Sequence, residues 1–377
     1  MKNKLHILFI CGWYPSKVLP TNGDFIQRHA EAVSLKHEVS VLHIISDKNT
    51  HQNINIESNK INKVDTHIAY IKETNNSIIK FLRFWKAYFL LMKKIKPFDI
   101  LHLNEIYPFG IFALHQKWIK KKPYIISEHW TGYHSPFNKS ISTIEILVSK
   151  FIVKNANFVC PVSDNLKESM LSIGLKGNYF KIPNVVDTTI FKPTEELVEK
   201  FTIVHISSML DTHKNITGML DVAKKLEDSI GKFTWYFIGG EDKTYKGKLE
   251  KLNFTKANIE FIKHIPQKDL IQYLQQATVF VLFSNYENLP CVILESFCCG
   301  TPVISTDVGG IKEYFPNNFG KLIEKNNKKQ LLESILEYQN KKIPKEEMHE
   351  YAKSNFSRMA IAENFSKLYY KTLKHKN

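Results

Sequence analysis

Cysteine is scarce in this chain: Cys11, Cys160, Cys291, Cys298 and Cys299 are its only five, with neither a paired framework nor metal-binding spacing. That argues against a disulfide scaffold and a zinc module, and implies reduced thiols in a cytoplasmic protein. Cys298 and Cys299 fall in a helical pattern and read as small core fillers. Long apolar runs are missing as well. No eighteen consecutive apolar residues occur, so no membrane-spanning helix is expected. The apolar run 5–11 contains His6 and flows into Gly12-Trp13-Tyr14-Pro15, which is a first strand and loop and not a signal peptide. No G-x-G-x-x-G follows that strand, which disfavours a nicotinamide dehydrogenase. An aromatic RNA-binding motif is also lacking, so only bulk charge supports a nucleic-acid-binding module.

Positive charge is abundant. The net charge is +15 with a pI near 9.3, which implies affinity for anions: nucleic acid, an anionic membrane or phosphorylated substrates. The basic residues Lys80, Arg83, Lys86, Lys93, Lys94 and Lys96 are interleaved with apolar and aromatic ones over 78–96. Their spacing predicts an amphipathic helix, suited either to an ordinary core-facing role or to peripheral contact with an anionic membrane.

With 377 residues, 43% hydrophobic and 24% charged, the chain suits two globular domains. Apolar strand candidates alternate with helical patterns, the mark of a parallel α/β architecture. They lie at 5–11, 39–44, 100–103, 124–127 and 158–162, then at 203–206, 235–238, 259–262, 279–283 and 303–305. The turn-rich stretch 182–193, followed by Glu195 and Glu196, places the domain junction. Residues 47–63, rich in Asn and Lys, read as a mobile loop. Residues 354–374 read as one helix with Ile361, Phe365, Leu368, Tyr369 and Leu373 on a stripe.

The most informative stretch is 287–313. Glu287 precedes a helix that follows Pro290, and Glu295 sits on that helix. A Gly300-Thr301-Pro302 turn, a short strand and the pair Gly309-Gly310 come next, with Glu313 suited to a helix start. Backbone N–H groups from Leu289 to Val292 face any anion at the helix N-terminus. The glycine pair suggests close backbone approach to a ligand. Pro183-Asn184-Val185-Val186-Asp187, the segment from Ile206-Ser207-Ser208 to Lys214-Asn215, and Glu128-His129-Trp130-Thr131-Gly132 complete the set.

Together these motifs resemble those of the retaining glycosyltransferases of family 4, over most of the chain. The resemblance implies a GT-B fold: two Rossmann-like α/β domains whose parallel sheets face across a central cleft. An N-terminal acceptor domain of 1–185, joined by a C-terminal helix of about 355–377, would accompany a donor domain of 186–354. It implies a nucleotide-sugar donor, UDP- or GDP-linked, and a saccharide or lipid-linked saccharide acceptor, in surface polysaccharide or lipopolysaccharide assembly. Metal-dependent transferases use an Asp-x-Asp pair; this chain has none, so no metal and no cofactor are expected.

The resemblance also assigns roles. Lys214 would neutralise the departing diphosphate. Glu287 would contact the donor sugar, and Glu295 would accept hydrogen bonds from the ribose hydroxyls. His129 would hydrogen-bond or orient the transferring sugar, with Glu128 and His134 as lesser neighbours. Gly23, Ser208, Asn288, Leu289, Pro290 and Val292 complete the donor contacts, and residues 263–270 border the base. Gly23 also fits a simple N-capping turn. Two departures stand out. The family's arginine some six residues before the lysine is replaced by Ser207-Ser208, so another cation such as Lys263 must contribute more. Val185 occupies the usual glycine position. Another GT-B nucleotide-sugar enzyme, such as an epimerase or hydrolase, a silent binding protein and a basic nucleic-acid binder are the alternatives.

Overall fold

The computed structural model describes residues 4–195 and 200–374; Glu196, named above at the junction, lies outside them. The chain divides into two compact units, Met1–Val185 with Arg358–Asn377, and Val186–Ser357.

In the first unit the elements run β1 (His6–Cys11), α1 (Asp24–Ser34), β2 (Glu38–Asp47), β3 (Ile54–Ile61), β4 (Val64–Lys72), α2 (Ser77–Met92), β5 (Ile100–Asn104), α3 (Gly110–Lys120), β6 (Tyr124–Glu128), α4 (Thr143–Asn155), β7 (Phe158–Pro161) and α5 (Asp164–Ser172). The second holds β8 (Thr202–Ile206), α6 (Asp211–Lys214), α7 (Ile216–Ile230), β9 (Thr234–Ile238), α8 (Lys246–Leu252), β10 (Asn258–Ile262), α9 (Gln267–Gln275), β11 (Val279–Leu282), α10 (Cys291–Cys298), β12 (Val303–Thr306), β13 (Gly320–Ile323), α11 (Lys328–Tyr338) and α12 (Lys345–Phe356). Helix α13 (Arg358–Lys374) returns to the first unit.

Both sheets are doubly wound. The second unit has the order β10-β9-β8-β11-β12-β13, all parallel. The first has β4-β2-β1-β5-β6-β7 in the same parallel arrangement, with β3 added antiparallel on the β4 edge. In each, strand order reverses once, between β8 and β11 and between β1 and β5. Ligands in such sheets bind at the carboxyl ends of the strands beside that reversal.

Strands covered on both faces are continuous apolar runs, as in β1 and β8, whose residues are all buried. Phe9, Val41, Ile100 and Ile125 anchor one core; Trp235, Phe237, Val281 and Ile304 anchor the other. α13 packs on α1 and contributes Ile361, Phe365, Leu368 and Tyr369 to the first core. Its Tyr369 hydroxyl meets His102 Nδ1 at 2.7 Å, and Ser366 Oγ meets His37 Nε2 at 2.8 Å. Burial of each large side chain there contributes about 2 kcal/mol. Glu227, buried on α7, accepts from the N–H groups of Thr255, Lys256 and Ala257.

Three expectations need correction. Residues 47–63 are not one loop: 48–53 is a turn, whereas Ile54–Ile61 forms the edge strand β3, whose exposed polar residues conceal it. The hairpin to β4 turns through Asn62 and Lys63, both with positive φ and no glycine to signal the turn. The basic helix stops at Met92, so Lys93, Lys94 and Lys96 lie beyond it. Residues 354–374 are two helices broken at Ser357, whose extended backbone separates α12 from α13.

Candidate active site

The second unit gathers most of the candidate residues at its strand reversal. β8 leads through Ser207 and Ser208 into α6, and Lys214 is the last residue of that single turn. β11 leads into the 283–290 loop that carries Glu287. Asp211 holds α6 against α7 by accepting from Thr217 N and Thr217 Oγ1 at 2.7 and 2.9 Å. Asn215, in the left-handed conformation, caps α7 through Gly218 N. The two loops are stitched together: Asn285 N donates to His213 O at 2.7 Å, and Asn285 Nδ2 to Thr212 O at 3.1 Å.

This stitching brings Lys214 Nζ onto Glu287 Oε1 in an ion pair, and Ser284 Oγ donates to the same oxygen at 2.7 Å. Glu287 is buried and Lys214 half-buried. A cation and a carboxylate are thus held side by side beyond the carboxyl ends of the strands, on segments separated by seventy-three residues.

Past Glu287, Asn288 and Leu289 are buried, Pro290 caps α10, and Val292 lies half-buried on its first turn. Glu295, in the middle of α10, is 1% exposed, and Gln267 Nε2 donates to its Oε1 at 2.7 Å. Gln267 opens α9, so the 263–270 segment does reach Glu295. Gly309 has a different use from the one expected. Its close approach is to the loop itself, since a Cβ there would lie 2.0 Å from Glu287 O, and Gly310 N donates to Asn288 O. The glycines therefore shape the Glu287 loop.

Ser207 and Ser208 part company. Ser207 Oγ meets His205 Nε2 at 2.7 Å and accepts from Met209 N, whereas Ser208 is exposed. Lys263, the suggested substitute cation, pairs at the surface with Glu241 at 3.0 Å. Sequence reasoning missed Lys325, whose Nζ stands 4.1 Å from the centroid of the Tyr286 ring, next to Glu287. No local pattern marks it, because it follows the short strand β13.

In the first unit, His129 follows β6. Its ring lies 4.7 Å from Phe25 and 5.3 Å from His29, with both ring nitrogens shielded from solvent. Burial, then the His29 and His102 rings, keep its imidazole well below the usual histidine range, so it is neutral. Glu128 is fully buried and accepts from Ile106 N, His129 N and Trp130 N at 3.1, 2.8 and 3.0 Å. Its carboxylate therefore organises the loop. His134 is tied to Ser169 Oγ at 2.6 Å, a structural contact. Gly23 is the N-cap of α1 with φ 75°, and a Cβ there would collide with the Trp13 backbone at 2.5 Å. Its local geometry is that of the capping turn. Sequence reasoning also passed over Glu105, directly after β5, which has a left-handed backbone of φ 84°.

Comparison with known proteins covers both units. Residues 187–355 match the family described as glycosyl transferases group 1, and residues 28–190 match glycosyltransferase family 4. A probable sucrose-phosphate synthase of Thermosipho melanesiensis is 30% identical over 199 residues, 48% of this chain and 47% of that protein. The putative teichuronic acid biosynthesis glycosyltransferase TuaC of Bacillus subtilis is 26% identical over 260 residues, 66% of this chain and 64% of that one. The chain thus spans about half to two thirds of the length of these curated relatives. The structure of Anabaena HepE in complex with UDP superimposes with a TM-score of 0.73 at 13% identity, covering 98% of this chain and 100% of that one. That likeness establishes the two-unit α/β fold as GT-B.

Proposed function

Because the chain belongs to the family 4 glycosyltransferases, whose two sequence models together span residues 28–355, we propose that it moves a hexosyl group, with retention, from a UDP- or GDP-sugar to a saccharide or lipid-linked saccharide acceptor. The observation that carries this reading is the Lys214–Glu287 pair at the strand reversal of the second unit. The UDP bound by HepE and the teichuronic acid role in the name of TuaC support a nucleotide-sugar donor and a polysaccharide context. In this reading Lys214 neutralises the leaving diphosphate together with the N-terminus of α10 at Asn288, Leu289, Pro290 and Val292. Ser208 adds a neutral donor. Glu287 faces the donor sugar as positive charge develops at its anomeric carbon, and Glu295 holds the ribose. Gly23 is assigned to the diphosphate loop and neutral His129 to orienting the sugar. The missing Asp-x-Asp pair supports a metal-independent reaction. Calorimetric titration with UDP, GDP and their hexoses in excess chelator tests the reading. Saturable binding of one nucleotide, followed by transfer, is the expected result; a folded protein that binds neither would overturn it.

We place the reaction on the cytoplasmic side of a membrane, with the first unit in peripheral contact through 78–96. Among the described residues no helix is long and apolar enough to cross a bilayer. α2 nevertheless exposes Ile78, Phe81 and Leu82, at 71%, 53% and 60%, beside exposed Lys80 and Lys86. A lysine near an anionic surface contributes about 1 kcal/mol. Lys80→Glu with Lys86→Glu should therefore weaken sedimentation with phosphatidylglycerol vesicles by roughly thirtyfold or more at low salt. Equal binding to phosphatidylcholine vesicles would remove this part of the proposal.

A further inference from the structure

The strand reversal of the first unit carries a second built-in carboxyl site. β1 and β5 are neighbours there, and their last paired residues are Cys11 and Asn104, so Gly12 and Glu105 follow side by side. Gly12 N donates to Asn104 O at 3.0 Å, and Glu105 N reaches Ser127 O on the next strand at 3.4 Å. The Glu105 carboxylate lies over Gly12, where a Cβ would sit 1.5 Å from its Oε2. This is the place corresponding to that of Lys214 and Glu287 in the second unit: the loops after the two strands that flank the reversal.

Glu105 differs from the acid one strand away. Glu128 receives three backbone N–H groups and is fully answered. Among the described residues no cation or hydrogen-bond donor engages the Glu105 carboxylate. The titratable groups facing it are Glu128, Glu145 on α4 and the Tyr133 hydroxyl. Burial first, and then the charges of Glu128 and Glu145, push its carboxyl up to about 8. A half-buried acid without an internal partner, on left-handed backbone, at a ligand-binding sheet edge, weakens the fold it sits in. Features of that kind cluster at binding sites.

We propose that the Glu105 carboxyl binds a hydroxyl of the saccharide acceptor at the strand reversal of the first unit. A sugar hydroxyl both donates and accepts, so it pairs with this group in either protonation state. The proposal rests on the transferase reading, and the two fail separately: nucleotide binding tests that reading, whereas saccharide binding in the presence of nucleotide tests this one.

Full-length wild type, Glu105→Gln and Glu105→Ala are titrated with a panel of methyl glycosides at saturating nucleotide, and melted at pH 5.5 and 8.5. One glycoside should bind the wild type, with its Kd raised at least tenfold in Glu105→Ala and less in Glu105→Gln. Nucleotide affinity should be unchanged in both. The stability arm follows from linkage. The carboxyl is protonated in the fold and ionised in the unfolded chain between its ordinary value of 4.5 and about 8. The penalty therefore grows as pH rises through that window and is constant above it. Glu105→Gln should raise Tm at pH 8.5 by at least about 2–4 °C and by less at pH 5.5. Unchanged glycoside affinity in Glu105→Ala overturns the proposal. So does a wild type that takes nucleotide but no glycoside, and so does a fall in Tm for Glu105→Gln, which would make the residue structural.

Discussion

Replacing Lys214 with alanine is expected to lower kcat by roughly a hundredfold to a thousandfold, the usual effect of deleting a preorganised electrostatic partner of a developing oxyanion. The same substitution removes the cation from Glu287, which is buried and keeps only Ser284 Oγ at 2.7 Å among its described contacts on Oε1. Stripping one member from a buried pair typically costs about 3 kcal/mol or more, because the other charge is left stranded. Activity and Tm therefore fall together in the single variant, and activity loss alone proves nothing. The double variant Lys214→Met, Glu287→Gln separates the effects. With no stranded charge its Tm should return close to wild type, while turnover stays at or below that of Lys214→Ala. Recovery of turnover together with Tm would show that Lys214 only balances Glu287, and the diphosphate role would then pass to another cation. Lys325, whose Nζ lies over the Tyr286 ring, is one candidate the structure offers.

How much of this was legible in the sequence depends on how local each signal is. Most of the ten apolar strands read correctly because a parallel strand covered on both faces must be a continuous apolar run, and runs such as 279–282 have no competing helical period. Strand β3 was hidden by the opposite circumstance. Ile54–Ile61 lies at an edge and its residues are half-buried or exposed, so polar side chains fill it, and Asn62-Lys63 turns without a glycine. β13 lies at an edge of its own sheet, and Gly320 and the exposed Lys321 leave it no apolar run. In the site, Lys214, Glu287 and Glu295 stand in recognisable local motifs. Their grouping does not, because it depends on Asn285 reaching back to Thr212 and His213. Glu105 was illegible altogether. As a sequence letter it is one acid in a loop, and only the strand order, its left-handed backbone and the space over Gly12 distinguish it.

Glu295 gives the second large effect, and here the ligand can be altered as well as the protein. Its carboxylate is 1% exposed and receives Gln267 Nε2 at 2.7 Å, and a carboxylate can accept from several donors at once. Hydrogen bonds to an ionised carboxylate contribute about 1.5–3 kcal/mol each. Losing one or two of them in Glu295→Ala should raise the nucleotide Kd by roughly a hundredfold. A weaker Kd alone would also follow if α10 were merely disturbed. The discriminating measurement is a cycle between Glu295→Ala and removal of the ribose hydroxyls, using UDP or GDP and their 2′,3′-dideoxy forms. If Glu295 holds the ribose, the wild type should bind the dideoxy nucleotide at least tenfold more weakly, whereas Glu295→Ala should bind both forms alike. The two losses would then be strongly non-additive, as expected for groups in direct contact. Additive losses would mean that Glu295 acts by tying α10 to the start of α9 through Gln267, and that the ribose is held by another group.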